Sequence, residues 1–282
     1  MKFTLLIATL NRYELLKKCI DSLLEETYSN FEIIIVDQTP TNSNSELNLP
    51  VDERIKYYHI EKKGLSHARN VGIIKATGDY ICLIDDDGEY ERTYLEKAKN
   101  IIDSRNPTIL GGQIVDPITN SEKWGKNERV IRYKDAFNCF CSPGMIIEAK
   151  FQKGHLYDES FGVGSKYGSG EETDIVLSAL SEGKLVFYSP SIITKHPADM
   201  LSSVNQKKIE SYAFGYGALC RKIFKKYSKF WGFYHLFKTI IGNYVIGYIQ
   251  FNTKKGSDIG EKRLARAKSI ICGYKDYKKE IE

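Results

Sequence analysis

The chain has 282 residues, 42% of them apolar, 27% charged and 12% aromatic, with a formal net charge of +5. That length is ample for one large domain with an appendage and a sizeable core, and its 7 prolines and 22 glycines exclude a disordered, collagen-like or low-complexity chain. The charge is unevenly divided: residues 201–282 hold 17 Lys and Arg against 6 Asp and Glu, net +11, while residues 1–200 hold 24 against 30, net −6. A basic tail of this kind usually meets a polyanion, either nucleic acid or an anionic membrane surface.

In chain order, Phe3–Thr9 is a short apolar run ending in a polar loop, as a buried strand does, and no small-residue cleavage site follows it to suggest a leader. Tyr13–Thr27 places Leu15, Leu16, Cys19, Ile20, Leu23 and Leu24 on one helical stripe. Phe31–Asp37 is a second buried strand. A strand at Ile55–Ile60, a helix at Ser66–Ala76 with Ser66 as its cap, a strand at Tyr80–Ile84 and a helix at Arg92–Ser104 continue the alternation. Such alternation implies an α/β fold, a mostly parallel sheet with helices on both faces. From Pro107 to Gly170 the pattern loosens and reads as long loops. Glu171–Glu182 reads as a helix, Lys184–Tyr188 as a strand, and Ser189-Pro190 as a turn before Ile192-Ile193.

Beyond a boundary near residue 200 the chain is helical and basic: Val204–Tyr227, Phe230–Phe251 and Asp258–Tyr274, the last starting with the Asp-x-x-Glu spacing of a capping box. The expected division is residues 1–199 and 200–282. The six cysteines contain no CxxC pair, Cys139 and Cys141 read as buried thiols, and no usable glycosylation sequon occurs because Asn106 is followed by proline. Together these fit a cytoplasmic protein.

Ligands of open parallel sheets bind beyond the carboxyl ends of the strands, where this chain has Thr9, Asn11 and Arg12, then Asp37 and Gln38, then Asp85-Asp86-Asp87. Three adjacent carboxylates repel one another by roughly a few kcal/mol at contact range, so holding them at a sheet edge suggests a cation. Oxygen ligands point to Mg²⁺ or Mn²⁺; a solvated acidic turn is the plain alternative. Arg69, one turn into the helix after Gly64, could reach a phosphate or base, although an arginine at such a place is more often a surface residue. Glu171 and Glu172 follow Gly168-Ser169-Gly170 in a first helical turn, where acids complement the helix dipole or serve as a general base. His196 is a lone histidine, structural or metal-ligating.

In order and spacing, LLIATLNR, IIIVDQTP, GLSHARNVGI, GDYICLIDDDGEY, GEETDI and the His of SIITKHP resemble the family 2 glycosyltransferases over about the first 200 residues. The resemblance implies the GT-A fold, Rossmann-like with a mostly parallel sheet, and inverting transfer of a sugar from a nucleoside-diphosphate sugar to an acceptor hydroxyl. It implies that Ala8, Thr9, Asn11 and Arg12 line the nucleotide pocket with Asp37 and Gln38, that Arg69 contacts the nucleotide, and that Asp86 lies near the ribose. It also implies that Asp85 and Asp87 face a Mn²⁺ or Mg²⁺ ion and the diphosphate, with His196 helping to bind them. Glu172 matches the catalytic base, usually aspartate in the family, with Glu171 as the alternative. Many relatives carry a second acid where this chain has Gln38; a glutamine can pair with uracil, which keeps a UDP-sugar as the expected donor while admitting guanine or thymine.

Phe230–Phe251 is interrupted by His235, Lys238, Asn243 and Gln250, so it is too polar for a clean membrane span. Its aromatics with flanking lysines instead suit interfacial attachment at the inner face of the cell membrane. Packing against the catalytic domain or another subunit, including a homo-oligomer, is the structural alternative. The expected acceptor is a glycan or lipid-linked molecule in surface-polysaccharide or lipid-linked glycan assembly. A catalytically inactive binding protein of the same fold at the membrane is the second reading, and no nucleic-acid motif is present.

Overall fold

The computed structural model describes all residues except 42, 44–46, 140, 198–204, 254–256 and 282, with side chains as far as Tyr277. The chain divides into two units, Met1–Tyr157 with Ser178–Ala198, and Asp158–Leu177 with Asp199–Glu282.

The first unit is built on a sheet of nine strands. In chain order it contains β1 (Phe3–Thr9), α1 (Tyr13–Leu24), β2 (Phe31–Asp37), β3 (Ile55–His59), α2 (Leu65–Lys75), β4 (Tyr80–Asp85), β5 (Glu89–Tyr90), α3 (Tyr94–Arg105), β6 (Ile109–Val115), β7 (Arg129–Val130), β8 (Met145–Glu148), α4 (Ala149–Gly154) and β9 (Val186–Lys195). The sheet order is β3-β2-β1-β4-β8-β6-β9-β5, with β7 paired to β9. The long pairings, β1 with β2 and β4, β2 with β3, and β6 with β9, are parallel; β8 runs antiparallel between β4 and β6. All seven residues of β2 are buried, as expected of a parallel strand covered on both faces. On one face Phe3, Leu5 and Ile7 meet Leu16, Ile20 and Leu23 of α1 and Tyr94, Leu95 and Ala98 of α3. On the other, α2 lies so close that a Cβ on Gly72 would collide with the Leu6 side chain.

Four local expectations are corrected. Gly64, at φ +134°, occupies the N-cap position of α2, so Ser66 lies inside the helix; that φ is open to glycine and costly for other residues. The stretch read as loops contains β6, buried from Ile109 to Gln113 and central in the sheet. Its Gly112 is a close-approach site, since a Cβ there would lie 2.8 Å from the Ile192 carbonyl oxygen. The pieces read as a strand, a turn and Ile192-Ile193 form one strand, β9. The register with β6 jumps from Gly111↔Tyr188 to Gln113↔Ile193, so Pro190 lies in a bulge where a missing N–H does no harm. Cys139 is buried as expected, whereas Cys141 is partly exposed.

The second unit contains the start of α5 (Glu171–Ser181) with α6 (Gln206–Lys226), α7 (Lys229–Phe251) and α8 (Ser257–Ile281). Asn205 and Ser228 cap α6 and α7 through their side chains. Val204, the expected start of α6, lies outside the described residues. Helices α6 and α8 touch backbone to backbone: a Cβ on Gly217 would collide with the Ile270 carbonyl, and one on Gly273 with that of Phe214. Helix α8 starts at Ser257, so Asp258 sits in the first turn, pairing with Lys262 at 3.0 Å, and is not the cap. Among the described residues no helix is long and apolar enough to cross a membrane.

Candidate functional site

Parallel pairing aligns Ala8 with Asp85 and Thr9 with Asp37, so the carboxyl ends of β1, β2 and β4 share one edge. Thr9 Oγ1 donates to Asp86 Oδ2 at 2.7 Å. Asn11 turns the chain at φ 56° and its amide donates to Thr39 Oγ1 at 2.8 Å, which brings Arg12 back over the acids. Arg12 Nη1 lies 2.7 Å from Asp86 Oδ1 and its Nη2 pairs with Asp87 Oδ2. Arg69, 3% exposed, reaches Asp85 Oδ1 at 3.0 Å from the first turns of α2. His196, the first residue after β9, is held by its own N–H to the Val115 carbonyl at 3.0 Å, and its Nε2 lies 3.1 Å from Asp87 Oδ1 and 3.7 Å from Asp85 Oδ2.

The three acids differ in electrostatics because their surroundings differ. Burial pushes Asp86 up to about 6, against the pull of Thr9 and Arg12. Burial acts the same way on Asp87, but contacts with His196 and Arg12 outweigh it and hold that carboxyl well below its usual range. His196 is raised: burial would lower it, but the neighbouring carboxylates prevail.

Asp37 and Gln38 lie along the same edge with their oxygens engaged. Asp37 accepts from Tyr13 Oη at 2.7 Å, Tyr57 Oη at 2.8 Å and the Thr39 amide at 2.8 Å; Gln38 Oε1 accepts from the Gly64 amide at 2.7 Å. The structure thus brings Thr9, Arg12, Arg69, Asp85, Asp86, Asp87 and His196 into one constellation beside Asp37 and Gln38. Glu171 and Glu172 belong to the second unit, in the first turn of α5, with Glu171 buried and Glu172 half-buried. Sequence reasoning missed Tyr13 and Tyr57 as partners of Asp37, and Ser142, whose Oγ donates to Asp85 Oδ1 at 3.3 Å. None has a local signal; each acts through a long-range pairing.

Asp85, Asp87 and His196 each offer one atom to a cluster spanning no more than 4.8 Å. Asp87 Oδ1 is buried with no aligned hydrogen bond, its charged neighbour being His196 Nε2 at 3.1 Å, so it retains acceptor capacity that a cation could use. Two carboxylate oxygens and an imidazole nitrogen are donors suited to a divalent metal ion, so the residues present fit one.

A mostly parallel sheet with acids at its carboxyl edge and C-terminal helices is the GT-A glycosyltransferase fold. Two solved structures share it: S. aureus TarS 1-349 in complex with UDP (TM-score 0.57, 14% identity, 99% of this chain and 92% of that one), and the mannosyltransferase PcManGT from Pyrobaculum calidifontis in complex with GDP-Man and Mn²⁺ (TM-score 0.65, 12% identity, 97% and 86%). The model of glycosyl transferase family 2 matches residues 4–163, more than half of the chain, and the protein belongs to that family. Among curated relatives, the glycosyltransferase GlyA of Streptococcus pneumoniae is 33% identical over 114 residues, 39% of this chain and 16% of GlyA. The amylovoran biosynthesis glycosyltransferase AmsB of Erwinia amylovora is 31% identical over 109 residues, 36% of each chain. The matched region thus covers a minor part of these relatives.

Proposed function

We propose that the chain is an inverting, metal-dependent glycosyltransferase that moves a sugar from a nucleoside-diphosphate sugar, a UDP-sugar, to an acceptor hydroxyl. The observation that carries this reading is the convergence of Asp85, Asp87 and His196 beside Thr9, Arg12 and Arg69 at the carboxyl edge of the sheet. The TarS and PcManGT complexes, with UDP and with GDP-Man and Mn²⁺, support a nucleotide-sugar donor and a divalent ion.

In this reading Ala8, Thr9, Asn11, Arg12, Asp37 and Gln38 line the nucleotide pocket, Arg69 contacts the nucleotide and Asp86 lies near the ribose. Asp85, Asp87 and His196 hold Mn²⁺ or Mg²⁺. An ion held there would neutralise charge at the departing diphosphate. Glu172 takes the proton from the acceptor hydroxyl as the anomeric carbon is attacked from the face opposite the leaving group; its place in GEETDI supports this role, and Glu171 is the alternative. The acceptor is a glycan or lipid-linked molecule in surface-polysaccharide or lipid-linked glycan assembly. Residues 1–199 form the catalytic part and residues 200–282 attach it to the inner face of the cell membrane. Helix α7 supports that attachment: Phe230, Phe233, Phe237, Ile241 and Tyr248 are exposed, and the helix contains no acidic residue.

A thermal-shift screen of nucleotide sugars with Mn²⁺ tests the donor. The expected result is a UDP-sugar that raises Tm only with the metal; no shift with any nucleotide sugar refutes the reading. For the base, Glu172→Gln retains donor binding and loses transfer, and loss on Glu171→Gln alone moves the role to Glu171.

A further inference from the structure

The outer two carboxylates of the acid triplet divide their oxygens in the same way. Asp87 commits Oδ2 to Arg12 and turns Oδ1 toward His196 Nε2, 3.1 Å away. Asp85 commits Oδ1 to Arg69 at 3.0 Å and to Ser142 Oγ at 3.3 Å, and turns Oδ2 toward the same imidazole nitrogen, 3.7 Å away. The two guanidinium groups come from different places, the loop after β1 and the start of α2, yet each takes one oxygen and leaves the other facing His196. Arg12 is itself anchored, because its Nη1 lies 2.7 Å from the buried Asp86, which Thr9 holds in turn.

We propose that Arg12 and Arg69 are positioning residues for the divalent ion: each fixes one carboxylate so that its remaining oxygen is presented to the cation beside His196. The inference rests on the metal-site reading and goes beyond the nucleotide contacts expected of these arginines. A carboxylate with one oxygen clamped loses its rotation before the ion arrives, and outer-shell partners of this kind orient metal ligands. Planarity matters, since Arg12 spans Asp86 and Asp87 with two nitrogens, a bridge that a lysine ammonium does not reproduce.

The sign of the effect decides the matter. Coulomb repulsion alone predicts that deleting a guanidinium beside a cation site tightens metal binding; a positioning role predicts the reverse. The test is Mn²⁺ binding to the full chain without nucleotide, read by electron paramagnetic resonance of free Mn²⁺ and by calorimetry. Arg12→Met and Arg12→Lys are expected to raise the Mn²⁺ Kd by about tenfold or more, the range for outer-shell partners, in protein that remains folded by circular dichroism. Arg69→Met is expected to act in the same direction. Arg12 is the more exposed of the two arginines, and Arg12→Lys retains the positive charge beside Asp86 and Asp87, so this variant decides the outcome if the buried Arg69 variant does not fold. A Kd in Arg12→Met that is unchanged or lower, with nucleotide affinity reduced, overturns the proposal and leaves Arg12 as a nucleotide contact. Absence of Mn²⁺ binding in the parent, or full binding in Asp87→Ala, faults the metal site itself and this inference with it.

Discussion

Thr9 Oγ1 donates a 2.7 Å hydrogen bond to Asp86 Oδ2, tying the last residue of β1 to the residue that follows β4. Both side chains are buried, so the bond is made to a carboxylate that water does not reach. Thr9→Val keeps the shape and removes the donor. The expected cost is about 1–3 kcal/mol, the range for leaving a buried polar group short of a partner. Thr9→Ser should retain most of the stability. Urea denaturation of the three proteins checks it, and equal midpoints for Val and Thr would deny the bond any role.

Of the two outer acids Asp87 lies nearer the imidazole, 3.1 Å from His196 Nε2 against 3.7 Å for Asp85, and it pairs with Arg12 as well. Asp87→Ala is expected to lower metal-dependent hydrolysis of the nucleotide sugar by at least about 100-fold, since Lewis-acid stabilisation is worth several kcal/mol. Steady-state rates with and without EDTA measure it; turnover equal to that of the parent removes Asp87 from the metal set.

Much of this was legible because it is local. Continuous apolar runs disclose β1, β2 and β4, and the edge rule then points to Thr9, Arg12, Asp37 and the acid triplet. What stayed hidden depends on distant partners. Strand β6 contains Gly111 and Gly112, which read as loop residues until Ile192 is seen packed where a Cβ would go. Ser142 and Tyr57 meet Asp85 and Asp37 across 57 and 20 residues of chain. Lys222, which looked like one of several tail lysines, is nearly buried between two aspartates. Charge counting along the sequence cannot separate such a lysine from solvated ones.

Helix α7 packs through Gly232, Leu236, Asn243 and Gly247 and leaves its large apolar side chains outward. Phe237 and Ile241 are more than half exposed on that outer face. If the face enters a lipid surface, Phe237→Glu with Ile241→Glu should abolish co-sedimentation with vesicles containing anionic lipid while the circular dichroism stays helical. Raised salt should weaken parent binding only in part, because apolar insertion is not screened. A parent chain that stays in the supernatant refutes the attachment.

Lys222 Nζ contacts Asp158 Oδ2 at 2.6 Å and Asp174 Oδ2 at 2.9 Å, and Tyr227 Oη donates to Asp174 Oδ1 at 2.9 Å. Removing one partner of a buried ion pair leaves the other uncompensated. Lys222→Met is therefore expected to cost about 3–5 kcal/mol, and adding Asp174→Asn should return part of that loss. Urea unfolding of both variants tests it; a single variant as stable as the parent would show the pair to be solvated.

Glu26 sits just past α1 and accepts the Leu95 amide on both oxygens at 3.3 Å, at the start of α3. Burial pushes its carboxyl up to about 8; backbone N–H groups of Leu95 and Tyr94 pull the other way without prevailing, and Glu96 adds to the rise. The folded state therefore favours the protonated form. Its contribution to stability is complete below the unfolded value near 4.5 and is lost as pH rises through about 8. Glu26→Gln imitates the protonated group at every pH. The parent should lose stability relative to this variant between pH 5 and pH 9, by roughly 1.4 kcal/mol for each unit between the two values, a few kcal/mol in all. Urea midpoints across that range measure the difference, and parallel curves would mean that Glu26 is ionised in the folded protein throughout.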